Sequence, residues 1–383
     1  MARTQDQLTD EVQRRIRDKT GGTYEETDIQ QSLNRCIRFL QNDHGMYPAK
    51  NRQDINVFPG IYEYPLPSDF HDIISIQDRG NPIRVTRKAP YEFWLRLEQE
   101  DNMVAIDTIY GDRFLLLRRA SAGSRKVLHN CDSLTANGTW AVDSGSSDAT
   151  NLTADTVNKK KGSASLNFDL DVSQSGNDYA EIQNSTMTAL DLSAYADTGY
   201  VFAEVYIPNN TNISSFTMTW GSDASNTYAA TVTTQHNGQS FRNGWNTLGF
   251  AWEGSTQTGT PVDTAIDYLA FRVTYTSSQT DDTDFRVDNI RIANPQNLEI
   301  HYYSSRFVKS NAGALQDDFQ SGDDYSLLAT MDDDLLYHWA CAEGFEALDN
   351  SLSQLERQSF DRLLSKVKPR YMSERKREVT RYY

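Results

Sequence analysis

The chain carries helical patterns at both ends and none in its middle third. Residues 1–126 and 295–383 are rich in Arg, Leu and Glu and place apolar residues at helical spacing. Residues 127–294 are dominated by Ser, Thr, Asn, Gly and Asp, and their apolar residues alternate over short runs. Such alternation between polar turns is typical of an antiparallel β-sandwich. The sequence therefore predicts an α+β protein whose helical part is interrupted by a β-domain.

Capping signals and apolar stripes predict four main helices. Thr4 and Gln7 have the spacing of a capping box in front of one stripe, and Thr27 and Gln30 have it in front of a second. Together these predict a helical hairpin at the N-terminus. Two further helices are predicted near the C-terminus, in "DDDLLYHWACAEGFEAL" and "SLSQLERQSFDRLLSKVK". The three Asp before the first of these lie where the helix dipole favours negative charge.

Residues 298–307 alternate as a half-buried strand, and a strand needs a neighbour for its backbone groups. When residues 127–294 are removed in thought, residues 113–119 run almost directly into this strand. We therefore predict that the two segments pair as an antiparallel hairpin, with the β-domain inserted at its tip. The ends of the inserted domain must then lie close together, which pairing of its first and last strands would achieve. The predicted domains are 1–126, 127–294 and 295–383.

Charge and cysteine content exclude several classes of protein. The net charge is −16, of which residues 127–294 contribute −12 (19 acidic, 7 basic residues), so general affinity for nucleic acid is disfavoured. No apolar run of about 18 residues predicts a membrane span, and the N-terminus lacks the apolar core of a signal peptide. Cys36, Cys131 and Cys341 are scattered without a CxxC, as expected of reduced thiols in a protein made in the cytoplasm.

No catalytic motif is present. The six His include no pair at i, i+4, and the chain contains no HExxH, GxSxG, Walker A or GxGxxG sequence. A carboxylate pair of the glycosidase type could lie among the many Asp and Glu, but no spacing selects one. We therefore expect a protein that is not an enzyme and has no catalytic or cofactor-binding residues.

Four motifs follow one another in residues 1–126 and 295–383: "DIQQSLNRCIRFLQ", "GIYEYPLPSDFHDIISI", the pair "RFLLLRRASAGS" and "LEIHYYSSRF", and "DDDLLYHWACAEGFEAL". By the order of these motifs, residues 1–126 and 295–383 resemble the head–tail connector (adaptor) proteins of tailed bacteriophages. The resemblance implies a virion structural protein at the head–tail junction, made in the host cytoplasm. It further implies a homo-oligomeric ring, usually a dodecamer, between a portal protein and a tail or nozzle protein. Genome DNA would pass through the ring without specific binding, and a modestly acidic host would repel it.

The C-terminal tail is basic and contains interleaved tyrosines. Two interpretations are open: a solvated or disordered end, or a segment that docks on an acidic portal surface or on DNA. The candidate interaction residues are Lys368, Arg370, Tyr371, Arg375, Lys376, Arg377, Arg381, Tyr382 and Tyr383.

The inserted segment resembles a jelly-roll domain of the carbohydrate-binding-module type, on the strength of "KKKGSASLNFDL" and the closing "DFRVDNIRI". Four Trp are candidates for stacking on sugars, although Trp in a sandwich is more often a core residue. They are Trp140, Trp220, Trp245 and Trp252. The alternative function is thus a glycan-binding module anchored by helical flanks. By analogy with such folds, Asp132 and Asp288 are candidate ligands of a structural Ca²⁺, or else plain turn residues.

Overall fold

The computed structural model describes the following residues: 3–20, 24–83, 86–87, 89–95, 103–109, 112–118, 124–143, 147–328 and 332–371. The chain forms two compact units. Unit 1 consists of Met1–Ile55, Leu66–Ile83 and Leu298–Tyr383, and unit 2 of Asn56–Pro65 and Arg84–Asn297. Each unit is therefore assembled from separate stretches of the chain.

The helices are α1 Gln5–Thr20, α2 Glu26–Asn42, α3 Pro90–Leu95, α4 Asp334–Ala347 and α5 Leu352–Tyr371. The strands of the first half of the chain are β1 Lys50–Val57, β2 Glu63–Pro65, β3 Phe70–Asp78, β4 Asn81–Pro82, β5 Thr86–Arg87, β6 Met103–Ile109, β7 Asp112–Arg118, β8 Arg125–His129, β9 Trp140–Val142, β10 Ala149–Asp155, β11 Ser165–Leu170 and β12 Tyr179–Asn184. The remaining strands are β13 Tyr200–Ile207, β14 Ile213–Asp223, β15 Asn226–Val232, β16 Gly244–Ala251, β17 Thr256–Thr258, β18 Tyr268–Tyr275, β19 Asp282–Ala293, β20 Gln296–Ser304, β21 Val308–Lys309, β22 Leu315–Gln316 and β23 Tyr325–Ser326.

Unit 1 is built on four helices that share one core. The apolar stripes of α1 and α2 pack with α4 and α5, and Phe307, Phe319 and Leu328 from the intervening loops complete the core. The predicted capping box forms at α1, because Thr4 N–H donates to Gln7 Oε1 (3.0 Å) and Gln7 N–H to Thr4 Oγ1 (3.3 Å). The second one does not form: α2 begins earlier, at Glu26, without a side-chain cap.

Unit 2 contains the predicted β-sandwich. One sheet has the order β10-β11-β19-β13-β16, with β8 also pairing with β19, and the other has the order β17-β15-β14-β18-β12-β9. Between them lies a core of fully buried residues, among them Phe168, Val201, Trp220 and Phe271. The α+β fold class with an antiparallel sandwich is confirmed.

The predicted partner of residues 298–307 is wrong. Strand β20 lies between β1 and β3, whereas β7, which contains residues 113–118, lies between β2 and β6 in another sheet. Both edges of β7 are thus occupied. Asp69, just before β3, binds β20 instead: its carboxylate accepts hydrogen bonds from Tyr302 Oη (3.0 Å) and Ser304 Oγ (2.7 Å).

The ends of the sandwich pair as predicted, but the units divide the chain differently from the predicted domains. Strand β8 is antiparallel to β19, with Val127 opposite Arg291. Asn294 N–H also donates to Ser124 O at 3.0 Å. Residues 84–126, predicted to belong with the helices, lie in unit 2 together with Asn56–Pro65. The reason is that β2, β5, β6 and β7 form one sheet with its own cluster of Phe93, Met103, Ala105 and Leu116.

Candidate interaction surfaces and the inserted sandwich

The aspartates at the start of α4 hold the first described residues of the chain. Asp333 accepts hydrogen bonds from the backbone N–H of Arg3 (2.9 Å) and from the hydroxyl of Ser326, while Asp334 pairs with the Arg3 guanidinium (2.6 Å). Burial raises the pKa of Asp333 to about 6. The sequence predicts these carboxylates at a helix N-terminus, where the helix dipole favours them. It does not indicate their contacts with Arg3, which is more than 300 residues away in sequence.

The same aspartate cluster holds the end of α5. Asp332 accepts hydrogen bonds from Arg370 Nη1 (3.0 Å) and Tyr371 Oη (2.7 Å), and Lys368 Nζ lies 3.2 Å from His44 Nδ1. Burial, followed by the charge of Lys368, lowers the pKa of His44. Three candidate tail residues therefore contact unit 1 itself. The other six, Arg375, Lys376, Arg377, Arg381, Tyr382 and Tyr383, lie outside the described residues.

Three of the four candidate sugar-stacking tryptophans lie in the sandwich core. Trp140, Trp220 and Trp252 are at most 3% exposed, and Trp220 packs against Trp252 with ring centroids 5.3 Å apart. Trp140 and Trp220 therefore offer no open face for a ligand, which corrects the predicted aromatic set, whereas Trp252 borders a cavity of about 540 Å³ together with Tyr228. Trp245 differs: it is half-buried on the outer face of β16, with its ring centroid 5.7 Å from that of Tyr206.

Asp132 and Asp288 bind two ends of one loop. Asp132 Oδ1 accepts hydrogen bonds from the backbone N–H groups of residues 163 and 164, and Asp288 Oδ2 accepts those of residues 160 and 161, both at 2.7 Å. Asp288 Oδ1 is buried without a partner. Ca²⁺ requires six to eight oxygens, and no group of three metal-ligating side chains occurs among the residues described. In the structure these two carboxylates anchor the loop, and a calcium site that includes them stays a prediction.

The outer face of the first sandwich sheet is aromatic and charged. In β13, Tyr200, Phe202, Glu204 and Tyr206 alternate with core residues and so point away from the core. Phe58 covers one end of this face. Its ring centroid lies 4.9 Å from that of Tyr200, 5.0 Å from that of Phe202 and 5.4 Å from that of His236. Burial lowers the pKa of His236 to about 4, so this ring is neutral at pH 7.

The uncovered end of the same face forms a cavity of about 310 Å³. One side comes from the sandwich and includes Glu204, Arg242 and Trp245. The other side comes from residues 60–63 and from Trp94 of α3. Asn237 Nδ2 donates to Glu63 Oε2 at 3.2 Å and joins the two sides. The sequence did not indicate this cavity, because nothing in "PYEFWL" distinguishes the buried Phe93 from Trp94, which is 42% exposed.

The helical hairpin, the β6–β7 hairpin and the strands between them lie in a stretch that matches a known family. Residues 3–123 match the model of the SU10 adaptor protein family. The matched stretch contains α1 to α3 and β1 to β7. It agrees with the phage-adaptor resemblance found in the sequence. No curated protein matches the chain significantly, and none of the described helices is long and apolar enough to cross a bilayer.

Solved structures similar to this chain include carbohydrate-binding modules. A family 30 module is 13% identical, with 45% of this chain and 88% of that one covered and a TM-score of 0.33. The family 11 module of Lic26A-Cel5E from Clostridium thermocellum is 15% identical, with 45% of this chain and 96% of that one covered and a TM-score of 0.31. TmCBM61, solved with β-1,4-galactotriose, is 11% identical, with 44% of this chain and 99% of that one covered and a TM-score of 0.27.

Proposed function

We propose that this protein is a non-catalytic structural component of a phage virion, a head–tail adaptor that carries an inserted β-sandwich. The observation that carries the proposal is the match of residues 3–123 to the SU10 adaptor family. In this proposal the chain forms a closed ring, with twelve copies as the expected number, beneath the portal and above a tail or nozzle protein. A ring of this kind repeats one heterologous interface until it closes.

The helical unit provides surfaces that suit such a role. Leu355 of α5 is 51% exposed, and Leu348, just after α4, is 37% exposed. In the same unit, Phe39, Trp339 and Phe360 line a groove of about 210 Å³. Exposed apolar groups of this kind are typical of subunit contacts. Outside the inserted residues 127–294 the net charge is −4 (34 acidic and 30 basic residues), a modest acidity that supports a channel wall that does not hold DNA.

The test is assembly with the portal of the same phage. The full chain is expressed alone and with the portal, and each sample is examined by mass photometry and negative-stain microscopy. We expect a closed ring or a portal-bound complex. A monomer that stays separate from the portal under both conditions would contradict the adaptor proposal and favour the glycan-binding alternative.

A further inference from the structure

The cavity on the outer sandwich face has walls from two parts of unit 2. The sandwich supplies Lys160, Lys161, Glu204 and Trp245. The stretch that matches the adaptor family, residues 3–123, is called here the adaptor-like segment, and it supplies residues 60–63 and Trp94. Its volume of about 310 Å³ lies at the lower end of small-molecule sites. Such a volume suits one or two sugar-sized rings and not an extended polymer surface.

Two tryptophans line the cavity. Trp94 is 42% exposed, and its position is fixed by Phe93, which is fully buried and packs edge-on against it at 5.2 Å between centroids. Trp245 is half-buried and is held by Tyr206. Indole faces bind flat, partly apolar rings by stacking, including the C–H faces of sugars.

Two lysines carry positive charge to the rim of the cavity. The backbone N–H groups of Lys160 and Lys161 both donate to buried Asp288, which fixes the loop beneath them. Across the part of the chain that the structure describes, neither ammonium group forms an ion pair. Partial burial, and then the charge of Arg291, lower the pKa of Lys161. An anionic group on the ligand would relieve this repulsion.

The remaining lining is rich in acceptors. Glu204 accepts from Arg291 Nη2 (3.1 Å) and Thr247 Oγ1 (2.7 Å), and Glu63 accepts from Asn237. Carboxylates accept hydrogen bonds from sugar hydroxyls, and each oxygen can accept more than one. Lys160, Lys161 and Arg242 outnumber these two carboxylates in the lining. The lining therefore favours an anionic ligand that also carries several hydroxyls.

We propose that this cavity binds an acidic sugar, a pyranose ring with a carboxylate, stacked between Trp94 and Trp245 with its carboxylate at Lys160 and Lys161. The site lies partly on the adaptor-like segment, so it requires both parts of unit 2. It would give the inserted domain a specific role in contact with one or two acidic sugar units. This inference does not depend on ring assembly.

The test is titration of the full chain with oligogalacturonate, followed by calorimetry and tryptophan fluorescence. Neutral galactose oligomers, inorganic phosphate and AMP serve as comparison ligands. We expect saturable binding of oligogalacturonate that weakens with salt, and at least tenfold weaker binding by Lys160→Gln/Lys161→Gln and by Trp94→Ala. Two matched controls should bind normally: Lys159→Gln, whose ammonium donates to Thr156 O (2.7 Å) away from the cavity, and Tyr91→Ala, an exposed residue of the same short helix.

Each other outcome overturns the proposal in a recognisable way. Equal binding of neutral oligomers would remove the acidic preference, and tighter binding of phosphate or AMP would exclude a sugar. Loss of binding by the Lys159 variant would show only a general effect of charge. Absence of saturable binding at millimolar ligand would reject the site, while leaving the adaptor role to its own assembly experiment.

Discussion

The ring of Phe58 packs edge-on against that of Phe202, with centroids 5.0 Å apart and an interplanar angle of 67°. Phe58 precedes the short strand β2, and Phe202 lies on the outer face of the sandwich. The adaptor-like segment thus covers an aromatic surface that the inserted domain would otherwise expose. Tyr64 holds the turn closed, because its hydroxyl accepts from Phe58 N–H (2.8 Å) and donates to Ile61 O (2.9 Å).

Replacement of Phe58 by Ala should therefore destabilise unit 2. Phe58 is only 3% exposed, and truncation of a buried Phe costs about 3–5 kcal/mol. We expect a loss of this size in the free energy of unfolding, measured with urea, and increased binding of a hydrophobic dye. Tyr91→Ala, at a position that is 65% exposed, is the control and should change stability little. A Phe58 variant as stable as the control would show that the contact is not formed in solution.

Gly162 should be needed for the conformation of the loop at residues 160–164, which contains Lys160 and Lys161. It has a φ of +66°, and a Cβ at this position would overlap the Asp132 carboxylate. Gly162→Ala should lower the free energy of unfolding by more than the roughly 1 kcal/mol expected from backbone strain alone. Gly176→Ala is the matched control, since its φ is +72° and nothing lies within 4 Å of the added Cβ. Equal losses in the two variants would argue against the Asp132 anchor.

Asp333 should make stability depend on pH. Its pKa is raised by burial to about 6 in the folded protein, against about 4 in the unfolded chain, so the folded state binds more protons between these values. Protonated Asp333 therefore adds on the order of 2 kcal/mol to the free energy of unfolding below pH 4, and this contribution is lost as the pH rises through 6. In Asp333→Asn, the free energy of unfolding measured with urea should differ less between pH 4 and pH 6 than in the unmodified protein. An unchanged pH profile in this variant would contradict a buried, protonated Asp333.

Calcium should not stabilise the sandwich. Asp132 Oδ1 and Asp288 Oδ2 already accept hydrogen bonds from backbone N–H groups of the loop that contains residues 160–164. We expect the melting temperature to be the same in millimolar CaCl₂ and in EDTA. A rise of several degrees with Ca²⁺, absent in Asp288→Asn, would establish the metal site that the fold analogy suggested.

Much of the fold could be predicted from local pattern. Leu8, Val12 and Ile16 follow the helical period and are all fully buried, and the alternation in residues 200–207 separates core from outer face correctly. Strand partners could not be predicted in this way, because any alternating strand is compatible with several neighbours. Strand β20 pairs with β3, and Asp69 beside β3 binds Tyr302 and Ser304 from more than 230 residues away in sequence, a contact that no local pattern indicates.

The interaction residues were harder to predict than the fold. Trp245 and Trp252 are seven residues apart in one sequence run, yet Trp245 is half-buried on the outer face and Trp252 is only 3% exposed in the core. Trp94 and Glu63 were not singled out, since each acquires its place only when the segment that contains it packs against the sandwich. A site with walls from distant segments leaves no compact signal in the sequence.

The pairing of β8 with β19 has a mechanical consequence. The chain enters the sandwich at Ser124 and leaves it at Asn294, and these two residues are hydrogen-bonded neighbours at the same end of an antiparallel pair. Tension applied across them would open the ladder one bond at a time, like a zipper, and not shear all of its bonds together. A load applied across Ser124 and Asn294 would therefore separate β8 from β19 before it disturbed the rest of the sandwich.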